Sequence, residues 1–433
     1  MTDKTLTIRR VNSVPQDVLG SRWPSKMVNR GKSYEDVKEI VGRVRLEGDQ
    51  AVDRFTQDFD DVNLDGRFRI TDQDIENAYN EVTNKQLAAI EVAIRRLAST
   101  SKRYLQRAEF SFKSNGIRTW KKISPLRSVG CYVPGGRAAY PSSVVMTSIP
   151  ARSAGVKRVV LCTPPDKDGN VNALTLVAAD RCGVDEIYRV GGAQAIAALA
   201  YGTDSINRVE KIVGPGNKYV TLAKRIVSGD VQIDLPAGPS EIVILADSSA
   251  KPCLIALDLI SQAEHDFDAS AILITPSKKI ADEVEAELKR KVSTLPRSET
   301  VFEALQQNGL IYFCQTLERG LEFINQYAPE HVQIMAAEPI GIAERITSAG
   351  LVLVGDYTPV AASDYCLGTN HVLPTEGFAN AFSGLSVDDF VRAYMIVESS
   401  RSGLKQVAPH IEALSESEGL PNHGKAVEGR FTE

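Results

Sequence analysis

The chain has 433 residues, about two to three times a common domain length, which excludes a lone small module and predicts two sizeable domains. Fifty lysines and arginines stand against 55 aspartates and glutamates, a formal charge of −5, so the chain has no surplus of positive charge for a polyanion and nucleic acid is not expected as a partner. The hydrophobic share of 43%, with 31 glycines and 20 prolines spread along the sequence, is ordinary globular composition and argues against long disorder.

The opening residues, MTDKTLTIRR, contain no basic stretch leading into an apolar run, and no apolar run approaches the length of a bilayer. A soluble, unexported chain is expected, with no membrane partner and the cytoplasm as its compartment. Six cysteines (131, 162, 182, 253, 314 and 366) lie far apart with no C-x-x-C pair, as reduced thiols do.

From about residue 35 to 107 the sequence is charged and helix-patterned, with Val37, Ile40, Val41 and Val44 recurring at helical spacing. From Ser128 the character changes. Short β-rich runs (SVGCYV, RVVLCT, EIYRV, KIVG, EIVILA, AILIT, LIYFC, HVQIM, GLVLVG) alternate with helix-length stretches such as AQAIAALAYG and IADEVEAELKRKV, the signature of parallel α/β structure. Two of these runs, at residues 161–164 and 273–276, end in Thr-Pro 112 residues apart, a faint sign of two similar halves. After about Ser386 the pattern returns to helix, with a helix start expected at Pro409 and Val407, Ile411 and Leu414 on one face. Such a tail has no sheet of its own and needs a docking surface, for which a partner subunit is a candidate.

Three glycine-rich turns follow β runs: Pro134-Gly-Gly136, Gly191-Gly-Ala-Gln194 and Gly214-Pro-Gly-Asn217. Glycines there let backbone approach a phosphate at a helix N-terminus, and they also serve plain βα turns. None matches G-x-G-x-x-G, and a P-loop is absent.

Four clusters hold groups able to do chemistry. Asp258, Gln262 and His265 fall on one helical stripe; His with an oxygen ligand one turn away suits zinc, although glutamine is an unusual ligand and a solvated face is the commoner meaning. Glu330 and His331 follow Pro329 at a helix-to-strand junction and suit general acid/base work, but neighbours on a strand point opposite ways, so one buried and one solvated side chain is equally expected. Residues 363–375, with Asp364 and His371, form a polar loop of the kind that carries function. Glu418 and His423 lie close to the C-terminus, where a histidine is most often merely exposed.

The order and wording of Val129-Gly-Cys-Tyr132-Val-Pro-Gly-Gly136, Val190-Gly-Gly-Ala-Gln194-Ala-Ile, Val213-Gly-Pro-Gly-Asn217, Asp234-Leu-Pro-Ala-Gly-Pro-Ser240-Glu, Gln262-Ala-Glu-His265-Asp, Ala328-Pro-Glu330-His331, Gly368-Thr-Asn-His371-Val-Leu-Pro-Thr and Gly419-Leu-Pro-Asn-His423 resemble the L-histidinol dehydrogenase family over essentially the whole chain. Ser363 departs from the glycine that relatives commonly carry before the Asp, a change to loop conformation rather than to a ligand. The resemblance implies an α/β fold of two incomplete Rossmann-like parallel-sheet domains with an N-terminal arm and a C-terminal helical tail, in a homodimer interlocked by terminal segments. Residues 1–27 would be the arm, 28–130 and 242–385 a zinc and substrate domain, 131–241 an NAD-binding domain and 386–433 the tail.

It also implies oxidation of L-histidinol through L-histidinal to L-histidine, the last steps of histidine biosynthesis, with two NAD and one zinc per subunit. Gln262, His265, Asp364 and His423 would be the zinc ligands. Glu330 and His331 would be the acid/base residues. Tyr132, Gln194 and Asn217 would bind NAD, while Ser240, His331 and Glu418 join the four metal ligands in contacting substrate. Alternatives are a relative oxidising another small polyol with the same cofactors, and a zinc hydrolase in which Glu330 activates metal-bound water. A thiol addition by Cys131 is disfavoured, because a cysteine on an apolar run is usually core filler.

Overall fold

The computed structural model describes residues 6–22, 32–107, 109–135, 139–235 and 238–432. Gly136, the Pro-Ala pair at 236–237 and part of the 1–27 arm lie outside the described residues. The strands in chain order are β1 (Arg9–Val11), β2 (Phe110–Ser114), β3 (Ile117–Pro125), β4 (Ser128–Tyr132), β5 (Arg158–Cys162), β6 (Glu186–Tyr188) and β7 (Lys211–Val213). They continue with β8 (Gln232–Ile233), β9 (Glu241–Ala246), β10 (Ser270–Thr275), β11 (Gly309–Phe313), β12 (His331–Met335), β13 (Leu351–Val354) and β14 (Val391–Ser399). Every β-rich run named from the sequence is a strand.

Among the described residues, two of the three sheets are wholly parallel and share one topology. The five-stranded sheet runs β6-β5-β4-β7-β8 and the six-stranded sheet β1-β11-β10-β9-β12-β13. Counting from the first strand of each unit, both read 3-2-1-4-5, the doubly wound order, and the second adds β1 at its edge. The Thr-Pro pairs at 163–164 and 275–276 lie at the C-terminal ends of the equivalent second strands, β5 and β10, which gives the faint repeat its structural basis.

Parallel strands are covered on both faces, so their residues alternate between two apolar cores. In β9, Ile242, Ile244 and Ala246 face the core under helices Pro252–Ala263 and Lys278–Val292, while Val243 and Leu245 face the core under helix Leu317–Tyr327. In the five-stranded sheet, Val129 and Cys131 face one core and Tyr132 the other.

Helices within the 28–130 segment pack on the five-stranded unit. Val37, Ile40, Val41 and Val44 of helix Lys32–Glu47 are buried with the alanine-rich helix Gly192–Tyr201, and Ile90, Ala93 and Leu97 of helix Asn84–Gln106 with helix Pro141–Ala154. Their apolar faces therefore enlarge the five-stranded unit rather than the 242–385 unit.

The tail also differs from its all-helical expectation. Residues 391–399 form β14, which pairs antiparallel with β3 in a three-stranded sheet, β14-β3-β2. Helix Arg401–Ser417 begins well before Pro409, because Ser400 accepts the Gly403 N–H and caps it. Pro409 lies inside that helix, and helix Pro421–Glu428 folds back on it. Among the described residues no helix is long and apolar enough to cross a membrane.

Candidate active site

His331 is the first residue of β12, paired in register with Ile242 on one side and Leu351 on the other. Strand parity turns it, with Gln333 and Met335, toward the face covered by helix Pro252–Ala263. Glu330 precedes the strand, where strict alternation has not begun, so both side chains are buried rather than one. The backbone at Glu330 is crowded by Gly350: a Cβ there would lie 2.6 Å from the Glu330 carbonyl oxygen, so only glycine lets β13 start at this register.

The hydrogen bonding of His331 fixes its tautomer. Nδ1 lies 3.2 Å from the Glu241 carbonyl, which can only accept, so Nδ1 carries the proton. In the neutral ring Nε2 is then the free base; it is buried without a hydrogen-bond partner and faces Asp364 Oδ1 at 3.9 Å. Burial alone pushes the imidazole down, but Glu330, with Oε2 at 3.5 Å from Nδ1, and Asp364 together outweigh it and raise the His331 pKa.

Glu241 organises this corner from behind. Its backbone N–H donates to Glu330 Oε2 at 2.8 Å, while its carboxylate, buried, pairs with both guanidinium nitrogens of Arg22 and accepts the Glu376 N–H at 3.2 Å. Sequence reading missed both Arg22 and Glu241, since an arginine in an arm and an acid ending a loop motif carry no local sign of pairing across 219 residues.

Helix Pro252–Ala263 packs against the short helix Val360–Tyr365, which carries Asp364. Gln262 is buried with its Oε1 unpaired, Asp364 keeps a partly open carboxylate, and His265 follows the helix end, exposed. His371, half-buried, lies with Nδ1 3.0 Å from the Asp364 carbonyl and Nε2 3.4 Å from Ser143 Oγ, and so ties the Asp364 loop to helix Pro141–Ala154 of the other unit. Ser363, at the family's glycine position, is buried and donates to the Val360 carbonyl, inside the same short helix. Ser240 is partly exposed, and its carbonyl accepts from Ser270 N–H.

The single chain does not assemble all four proposed zinc ligands. Among the described residues no three His, Cys, Asp or Glu side chains gather as a metal cluster, and Glu418 and His423 are exposed on the tail.

The second group of residues lines the switch point of the five-stranded sheet, between the C-terminal ends of β4 and β7, where doubly wound sheets bind ligands. Tyr132 ends β4, buried, and its Oη accepts the Gly192 N–H at 3.1 Å. Gln194, in the first turn of helix Gly192–Tyr201, is buried with both amide atoms unpaired. Asn217 caps helix Lys218–Val227 by accepting from Tyr219 and Val220, and is exposed. Gly214 has φ +120°, and a Cβ would lie 2.1 Å from the Tyr132 carbonyl. The buried Lys224–Asp234 pair holds that turn, Lys224 donating to the Gly214 carbonyl and Asp234 accepting its N–H. Cys131 is wholly buried in the sheet and burial pushes its thiol up to about 12, which does not suit a nucleophile.

The chain as a whole is similar to known proteins. The histidinol dehydrogenase sequence profile matches residues 25–431. The chain is 48% identical over 395 residues to a histidinol dehydrogenase of Geobacillus kaustophilus, covering 91% of this chain and 93% of that one. The chain belongs to the histidinol dehydrogenase family. A histidinol dehydrogenase of Methanosarcina mazei is 41% identical over 411 residues, covering 94% of each chain. The crystal structure of histidinol dehydrogenase from Elizabethkingia anophelis superposes with a TM-score of 0.93 at 34% identity, covering 99% of both chains. Histidinol dehydrogenases are oxidoreductases, and the α/β fold with two parallel sheets is that of the family.

Proposed function

We propose that this chain oxidises L-histidinol through L-histidinal to L-histidine, using two NAD in succession and one zinc ion. The observation that carries the reading is His331, a buried imidazole whose free Nε2 faces Asp364 and whose protonated Nδ1 is held by the Glu241 carbonyl. That is the arrangement a general base needs.

The residues present fit both groups. Gln262 offers a buried, unpaired oxygen and Asp364 a partly exposed carboxylate on two packed helices, with His265 just after the end of the first; the exposed His423 would complete the set from the tail of a second subunit. Tyr132, the unpaired Gln194 amide and Asn217 border the crevice that would take NAD. When bound, zinc would fix the substrate's amino and imidazole nitrogens and NAD would accept hydride. His331 Nε2 takes the proton from the substrate hydroxyl as hydride leaves the carbon. After His331 has passed that proton to solvent, Glu330 takes a proton from the water that adds to the aldehyde, and His331 takes a hydroxyl proton of the hydrate as the second hydride leaves its carbon. Ser240 and Glu418 would contact the substrate's polar groups, in a homodimer.

Adding L-histidinol and NAD to the purified protein tests this directly, before and after metal stripping. The expected result is about two NADH per substrate, abolished by chelation and restored by zinc. One NADH with accumulating aldehyde would remove the second oxidation, and no NADH would move the claim to another substrate.

A further inference from the structure

Helix Asp49–Asp60 packs on helix Gly192–Tyr201, and its last residue, Asp60, ends beside the switch-point crevice. There the Asp60 carboxylate acts electrostatically on the Tyr132 hydroxyl, the group that accepts the Gly192 N–H. Asp60 Oδ2 is buried and makes no hydrogen bond, and one helical turn earlier the wholly buried Thr56 hydroxyl is also unpaired. The Gln194 amide on the packed helix is likewise unpaired, so two helices packed together beside Tyr132 each carry buried polar atoms without protein partners. Buried polar atoms are nearly always satisfied, so a group of unsatisfied ones at a ligand crevice points to donors and acceptors on a ligand.

The topology says which part of a dinucleotide that would be. In doubly wound sheets an acid after the second strand holds the adenosine ribose. Here the second strand is β5 and the acid after it is Asp166, whose Oδ1 accepts from the backbone N–H groups of Asp168 and Asn170 and shapes its own turn. Asp60 instead acts on the Tyr132 hydroxyl, which accepts the N–H of Gly192, the first residue of the helix after β6.

We propose that Asp60 accepts hydrogen bonds from the adenosine ribose hydroxyls of NAD, in place of the usual strand-end acid, and that its charge excludes the 2′-phosphate of NADP. The inference rests on the NAD-dependent reading above and names the residue that sets cofactor choice. An ionised carboxylate accepts from both vicinal hydroxyls but repels a phosphate ester in the same place. Burial pushes this carboxyl up to about 6, so it is charged at pH 8, where binding would be measured.

Fluorescence titration of the zinc-loaded dimer with NADH and NADPH at pH 8 tests the proposal, comparing wild type, Asp60→Asn and Asp60→Ala. The expected result is NADH binding weakened about tenfold in both variants with NADPH binding unchanged or tighter, so that the preference for NADH collapses, and with KM for NAD raised while kcat stays within about twofold. Thermal unfolding of each variant separates this from a folding defect, which would not alter the NADH to NADPH ratio. Unchanged NADH affinity, or equal weakening toward both nucleotides, overturns the assignment of Asp60. Wild type that fails to bind either nucleotide overturns the NAD reading itself, and the proposal with it.

Discussion

Arg22 and Glu241, 219 residues apart, form a buried two-pronged ion pair, with Arg22 Nη2 2.7 Å from Glu241 Oε2 and side chains only 8% and 4% exposed. The guanidinium also stacks 3.7 Å from the centre of the Tyr327 ring. Because the Glu241 backbone holds Glu330 and His331, an arm residue supports the base from beneath. Removing one member leaves a buried charge uncompensated, so Arg22→Met should cost about 3–5 kcal/mol in denaturant unfolding, whereas Arg22→Met with Glu241→Gln should recover part of it. A double variant no better than the single would show that the loss lies in packing rather than charge.

His265→Ala is expected to lose bound zinc, and His331→Ala to keep it while losing most hydride transfer, about 10²-fold or more. Metal analysis and NADH formation on the two proteins check it. Equal zinc loss in both would move His331 from base to metal support.

Asp258 lies almost buried on helix Pro252–Ala263, and burial pushes its carboxyl up to about 6. Its folded value exceeds the unfolded one, near 3.9, so the folded chain holds the extra proton and this group's contribution to stability falls as pH rises through that window. In metal-stripped protein, Asp258→Asn should therefore gain on wild type between pH 4 and 6 and level off above, by up to about 3 kcal/mol. A difference that is flat with pH, or that shrinks as pH rises, would show that Asp258 is ionised in the folded chain at no cost.

The exposed His423 leads to a prediction about subunits. If it reaches the zinc of the neighbour, co-refolding inactive His331→Ala with inactive His423→Ala should restore about a quarter of wild-type activity, because one site of each mixed dimer collects both defects and the other none. Activity no higher than that of the separate variants, with mixed dimers confirmed by mass, would place the tail in its own chain's site.

The local pattern was enough to name nine strands, because parallel strands buried on both faces read as short apolar runs bounded by turns, and enough to mark Glu330, His331, Gln262 and His265 as chemistry-bearing. The motif strings carried the family. Apolar spacing in helix Lys32–Glu47 announced a buried stripe but not its partner, which is helix Gly192–Tyr201. The edge strands β1, β2, β8 and β14, and β3 between β2 and β14, escaped because short or mixed polar sequence pairs through backbone alone, and the helix expected after Ser386 is preceded by strand β14. Tertiary structure alone decided the rest. Long-range contacts, invisible to any window of sequence, brought Arg22 to Glu241, gave His331 its tautomer through the Glu241 carbonyl, and left the Gln194 amide and Asp60 Oδ2 without protein partners.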